Sequence, residues 1–211
     1  AHVQILSRLG RTDEALALIE ERFGPAPGPA VDQMRARLDA GETVAFDVVT
    51  GPAEGMGEVF YTVARALEGE AADTYTLLYS RTAEALDPTH IDAILLSAGL
   101  LEGLGRYDLA TLAYNRVPRT HPSFYVAEMG RAEALRRSGD VDRAIEVLQD
   151  LAETQPDRSM IHVTLGDTLR GAERYDEAAE AYDRAIGLFT EEAGAQWIVY
   201  FARGIAHERE G

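Results

Sequence analysis

The sequence has no cysteine and no lysine, a single asparagine at Asn115 and a single tryptophan at Trp197. Without cysteine there is no disulfide framework, no thiolate metal site and no cysteine nucleophile. All 20 basic residues are arginine, a bias that suggests a GC-rich bacterial genome through codon usage. Positive charge is scarce, because 36 acidic residues leave a formal net charge of -16. A surface this acidic repels phosphate backbones and anionic head groups, which argues against nucleic acid and membrane-surface partners. No stretch approaches the roughly 20 apolar residues that span a bilayer, so direct membrane insertion is not expected. No signal peptide opens the chain. What the chain does have is an apolar fraction of 46%, normal for a protein that buries a core.

Those apolar residues recur with a period. Ala110, Ala144 and Ala178 are each 34 residues apart, and the same step links Asp108, Asp142 and Asp176. It also links Tyr114, Leu148 and Tyr182, then Ala98, Ala132 and Gly166, then Leu101, Leu135 and Leu169. Gly105 and Gly139 share a column that Glu173 breaks, and Pro122 and Pro156 share one that Thr190 breaks. Within a unit the apolar positions fall at helical spacing. The glycines suit a left-handed residue closing a first helix, and the aspartates suit the start of a second. The prolines end the second helix, and the small residues let paired helices approach closely. One such unit cannot hide its apolar face alone, so neighbours must stack.

The segments GRYDLATLAYNRV, GDVDRAIEVLQDL and ERYDEAAEAYDRA, together with LGDTLRGAERYDEAAEAYDRAI, resemble tetratricopeptide repeats. The resemblance implies an all-α fold, a right-handed α-solenoid of antiparallel helix pairs numbering about eleven to thirteen helices. It divides the chain into a partial helix pair at 1–29, divergent helices at 30–90, three regular units at 91–190 and the first helix of a further unit at 191–211. Within 30–90, Thr43-Val44-Ala45-Phe46-Asp47-Val48 alternates like a strand. It is expected to form an extended insertion at about 41–51, with Val44 and Phe46 packed on the helices. The chain begins in mid-pattern at Ala1 and stops after an unpaired helix, as expected of a piece of a longer protein.

Candidate chemistry is thin. Gly51-Pro52-Ala53-Glu54-Gly55-Met56-Gly57 has the look of a phosphate cradle, but Glu54 and Glu58 would repel the phosphate, so it reads as a helix entry. The five histidines (His2, His90, His121, His162 and His207) form no zinc-binding pair. Asp140 and Asp142 lie in an amphipathic run with isoleucine where a calcium loop needs glycine. No nucleophile elbow is present. No enzymatic activity, cofactor or metal is expected.

The resemblance implies instead that the first helices line a groove for a protein or peptide ligand. Carried over column by column, the groove residues are Tyr61, Arg65 and Glu68, then Asp92, Leu95, Gly99 and Glu102. Val126, Met129, Glu133, Arg136 and Arg137 follow, then Met160, Val163, Asp167 and Arg170, and finally Ile198, Phe201 and Ile205. Methionine suits an adaptable recognition surface, and the arginines suit carboxylates of a partner. A lysine and asparagine clamp of the kind some family members use is not available, since lysine is absent and Asn115 falls on a second helix. The leading expectation is a protein-binding scaffold. The alternatives are a self-assembly module or a non-catalytic part of a larger enzyme. A homodimer through the helix from about Gln196 to Glu210 is also expected, because Trp197, Tyr200, Gly204 and His207 face the side where a second helix would dock. The general run of exported bacterial proteins of this kind favours an envelope or periplasmic location over the cytoplasm.

Overall fold

The structure is a computed structural model that describes residues 2–24, 29–45, 49, 51–189 and 196–210. Among the described residues there are twelve helices and no strand, in line with the all-helical expectation. The chain divides into two compact units, Ala1–Glu58 and Val59–Gly211.

The first unit holds α1 (His2–Arg8), α2 (Thr12–Phe23) and α3 (Pro29–Asp39). Its core is Val3, Leu6, Ala15, Ile19, Leu38 and Val44. The strand-like alternation at 43–48 yields no strand at the described positions 43–45. Val44 nevertheless behaves as expected: its side chain is buried, and its N–H donates to Ser7 Oγ at 2.9 Å. Phe46, Asp47 and Val48 lie outside the described residues. Helix α4 (Pro52–Leu67), with Pro52 in its first turn where a missing N–H costs nothing, runs across the boundary between the units.

The second unit continues with α5 (Asp73–Leu86), α6 (Ile91–Gly103), α7 (Tyr107–Tyr114) and α8 (Phe124–Ser138). It ends with α9 (Val141–Thr154), α10 (Ser159–Gly171), α11 (Tyr175–Gly187) and α12 (Trp197–Glu210). Each helix from α5 to α12 packs on the next, and the first helices also touch one another as α6 on α8 and α10 on α12. The small-residue columns sit where helices meet: Ala98, Ala110, Ala132, Ala144 and Ala178 are at most 1% exposed.

One turn recurs between paired helices. After α6, Gly105 is left-handed at φ 68°, and Arg106 N–H donates back to the Leu101 carbonyl at 2.8 Å. Arg106 then starts α7, its own carbonyl accepting from Ala110 N–H at 3.0 Å. The same pattern joins Leu135, Gly139, Asp140 and Ala144, and again Leu6, Gly10, Arg11 and Ala15. It places an acidic residue in the first turn of each following helix, against the positive end of its dipole. Between α10 and α11 the bonds persist, with Arg174 N–H on the Leu169 carbonyl at 2.9 Å, but the left-handed residue is Glu173 at φ 61°. It is the only non-glycine with positive φ among the described residues. The turn between α4 and α5, irregular in sequence, closes differently: Glu70 and Ala71 N–H both return to the Leu67 carbonyl.

Tyrosines fill the gaps that glycines leave. Tyr182 on α11 lies over Gly166 on α10, where a Cβ would come within 2.6 Å of the ring. Tyr114 on α7 presses likewise onto Gly130 of α8. The Tyr182 side chain is fully buried, yet its hydroxyl reaches Asp167 Oδ1 and donates to it at 2.7 Å, while Arg170 Nε donates to the same hydroxyl at 3.1 Å. Burial, and then the bond to Asp167, push the Tyr182 pKa up to about 12. Tyr114 is raised as well, first by burial and then by its bond to Glu102.

Two outcomes follow from these contacts. Glu173→Gly relieves a left-handed Cβ and is expected to raise unfolding free energy by about 1 kcal/mol in chemical denaturation, while Gly166→Ala lowers it by about 1–3 kcal/mol through overpacking. A folded-state tyrosine pKa above its unfolded value near 10 keeps its stabilisation below that pH and loses it as pH rises towards about 12. Denaturation titrations are therefore expected to show stability falling across that window, with a shallower fall in Tyr182→Phe.

Candidate functional site

The candidate groove residues fall on five first helices. Tyr61 and Arg65 sit on α4, with Glu68 just after it. Asp92, Leu95, Gly99 and Glu102 sit on α6, and Val126, Met129, Glu133, Arg136 and Arg137 on α8. Met160, Val163, Asp167 and Arg170 sit on α10, and Ile198, Phe201 and Ile205 on α12. None of them is buried. This follows from helix geometry. The 3.6-residue period turns one stripe of each first helix into its own pair and another onto the neighbouring pair, which leaves a third stripe uncovered.

The apolar members divide into two sets. Val126, Met160, Ile198 and Phe201 are 54%, 57%, 51% and 64% exposed, although nothing polar on them calls for solvent. Met129 and Val163 are half-buried and pack against the cluster built on Leu135, Leu148, Leu165 and Tyr182. The second set thus contributes to the core as well as to the surface.

The arginines already have carboxylates. Arg136 donates through Nε and Nη2 to both oxygens of Glu133, each at 2.8 Å, and Arg137 Nε reaches the same carboxylate at 2.9 Å. The bond from Arg136 comes first in holding Glu133 below the usual carboxylate range. Arg170 pairs with Asp167 at 3.5 Å, and Arg65 with Glu68. A partner's carboxylate would therefore have to displace an existing one. Such exposed pairs hold by only about 0–1 kcal/mol, so the exchange is easy but gains little. Glu102 differs: burial raises its pKa, the Tyr114 hydroxyl opposes that by donating to it, and Glu133 adds to it.

At the α4 end the surface folds into an open cleft of about 680 Å³. Tyr61, Arg65, Glu68, Asp73, Asp92, Leu95, Leu96, Gly99 and Leu100 line it. Six of these are sequence candidates. Asp73, Leu96 and Leu100 are additions, and Asp73 was out of reach of a first-helix argument because it opens α5, a second helix. The Tyr61 ring contacts His90 at 4.7 Å between centroids. His90 in turn caps α6, its Nδ1 accepting from Ala93 N–H at 3.2 Å. His121 plays a similar turn role at Ser123 N–H, and His162 is buried with Nε2 on the Pro156 carbonyl at 2.9 Å. Among the described residues no group of three acidic or histidine side chains converges as a metal ion requires.

Residues 95–159 and 163–211, more than half of the chain, match the family profile described as tetratricopeptide repeat. No curated protein matches the sequence. Among solved structures the chain is similar to MamA, residues 41 to the end, from Desulfovibrio magneticus RS-1. That similarity is 17% identity over 77% of this chain and 93% of that one, with a TM-score of 0.58. A further MamA crystal structure gives 17% identity, coverage of 71% and 85%, and a TM-score of 0.61. YrrB, titled a TPR protein with an unusual peptide-binding site, gives 15% identity, coverage of 96% and 88%, and a TM-score of 0.59. At these identities the structures bear on the fold alone. The family profile carries the assignment, and the turn and packing columns agree with it: the chain belongs to the tetratricopeptide repeat family.

Proposed function

We propose that this chain is a non-catalytic scaffold that binds a peptide or helix of a partner protein along its first helices. Repeats of this family generally mediate protein-protein interactions, and the partner here is a protein segment of unidentified sequence. The observation that carries the reading is the row of exposed apolar side chains on successive first helices, Val126 on α8, Met160 on α10, and Ile198 and Phe201 on α12. Val126 and Met160 hold the same repeat position, 34 residues apart, so the exposure is a property of the repeat and not of one loop. Clustered exposed apolar groups with charged neighbours are the usual mark of a protein contact surface. YrrB's peptide-binding site supports the same reading by analogy of fold. Among the described residues no helix is long and apolar enough to cross a membrane. An envelope location in a bacterium accompanies the proposal, and cell fractionation checks it.

A second reading, self-assembly, is favoured by α12, where Trp197 is 69% and Tyr200 45% exposed, and where a Cβ on Gly204 would meet nothing within 4 Å. Pairing that face with a second copy would rebury two aromatic side chains, worth about 2–4 kcal/mol.

Binding to an array of short peptides tests the first reading. Met160→Glu and Arg136→Glu are expected to weaken the bound peptides at least about tenfold while leaving the helical circular dichroism unchanged. Loss of the helical signal would instead make these residues core, and unchanged binding would move the site elsewhere. Light scattering over a range of concentrations tests the second. A dimer that dissociates on combining Trp197→Ala with Tyr200→Ala is expected, and a strict monomer at high concentration contradicts it.

A further inference from the structure

The cleft at the α4 end has a chemistry of its own, and what it selects rests on the peptide-binding reading above. We infer that this cleft seats an arginine or lysine side chain of the bound segment. Its apolar floor is Leu95, Leu96 and Leu100, and Tyr61 stands beside it. Such a floor suits the alkyl stem of a long cationic residue, which covers apolar surface while keeping its charged head in a polar rim. The Tyr61 ring adds a face to which a cation is attracted.

The rim decides the sign of the ligand. Among the described residues Arg65 is the only cation lining the cleft, and Glu68 neutralises it. The carboxylates of Asp73 and Asp92 remain, and neither has a side-chain hydrogen bond or ion pair among the described residues. Farther along, Arg136 and Arg137 share Glu133, and Arg170 has Asp167, so these groove arginines are already committed and do not balance the rim. An acidic segment would meet uncompensated repulsion at this end. A basic one would gain charge-assisted bonds in a recess that shields them from solvent more than an open surface does. The elements are also rigidly placed: Asp73 and Asp92 lie in the first turns of α5 and α6, and these helices are locked together by the buried Ser80 and Ser97 hydroxyls at 2.6 Å. A cation therefore finds two carboxylates on helix ends that do not have to be ordered first.

Fluorescence anisotropy with two dye-labelled peptides tests this directly. One repeats alanine, leucine and arginine; its twin carries glutamate for arginine. The expected result is that the wild-type chain binds the arginine peptide more tightly than the twin. The double variant of Asp73→Asn and Asp92→Asn should lose about tenfold of that affinity, equivalent to about 1.4 kcal/mol. A control combining Glu146→Gln and Glu153→Gln removes the same charge from exposed positions of α9 and should change it little. Equal losses in the two double variants would reduce the effect to the overall negative field and overturn the cleft assignment. An arginine peptide that binds through Met160 yet ignores Asp73 and Asp92 would overturn the anchor and leave the groove reading intact. Absence of binding by both peptides would overturn both. Should the Asp73 variant disturb α5, Asp92→Asn alone and the salt dependence of the wild-type affinity decide the same question: a cation in this rim must weaken as salt rises, and an affinity indifferent to both would overturn the anchor.

Discussion

A helix pair of this kind has more apolar surface than its own two helices can hide, and the rest of the molecule follows from that excess. The contact within a pair takes one stripe of each helix, which is why alanine stands fully buried at Ala110, Ala144 and Ala178 and why Tyr182 can lie flat on Gly166. The remaining stripes must find a neighbouring pair, and they do so through Leu135, Leu148, Leu165 and Leu169, which join two successive pairs into one cluster. The recurring turn sets the geometry. A backbone N–H tied to the carbonyl of Leu101, Leu135 or Leu169 fixes where the second helix starts relative to the first. With both helices fixed, Val126, Met160, Ile198 and Phe201 on the first helices stay exposed.

Much of this was legible in the sequence because stacking imposes a period. The columns at Ala98, Leu101, Ala110 and Tyr114 record contacts that every unit must make, so they recur regardless of what the protein binds. The break at Glu173 was also legible as a break, and the structure shows its consequence, a left-handed residue with a Cβ. Arg136 and Arg170, which the sequence reading reserved for a partner's carboxylates, are instead paired with Glu133 and Asp167 three residues away. Other features were not periodic and left no such trace. Asp73 joins the cleft from the start of α5, a second helix, and so falls outside any first-helix column. Leu95, Met129 and Val163, by contrast, stand in one 34-residue column and are all half-buried, a distinction from the exposed Val126 and Met160 that the sequence reading passed over. The alternation around Val44 signalled a buried apolar side chain correctly without signalling a sheet, since a lone extended segment has no ladder to join.

The charge distribution has the same logic at a larger scale. A chain with a net charge of -16 uses its arginines locally, and most of those on the first helices pair with a carboxylate three or four residues away. Each pair stabilises little, but together they cancel the positive charge along the face and leave carboxylates in excess at one end. The tyrosines connect this surface to the core. Tyr114 and Tyr182 pack on glycines inside and present hydroxyls to Glu102 and Asp167 outside, so these two candidate residues are held by the same contacts that hold the helices together.

On the proposed reading, the stripe that stacking leaves exposed on the first helices is where a partner sits. Site-specific photo-crosslinking examines this at single positions, because a benzophenone side chain reports only what lies against it. Val126 on the first-helix stripe of α8 and Leu112 on the second helix α7 are comparably exposed, at 54% and 64%. A crosslinker at Val126 is expected to capture a discrete partner, competed away by excess unlabelled chain, while one at Leu112 captures none. Equal capture at the two positions, or capture at Leu112 alone, would refute the stripe as the binding surface.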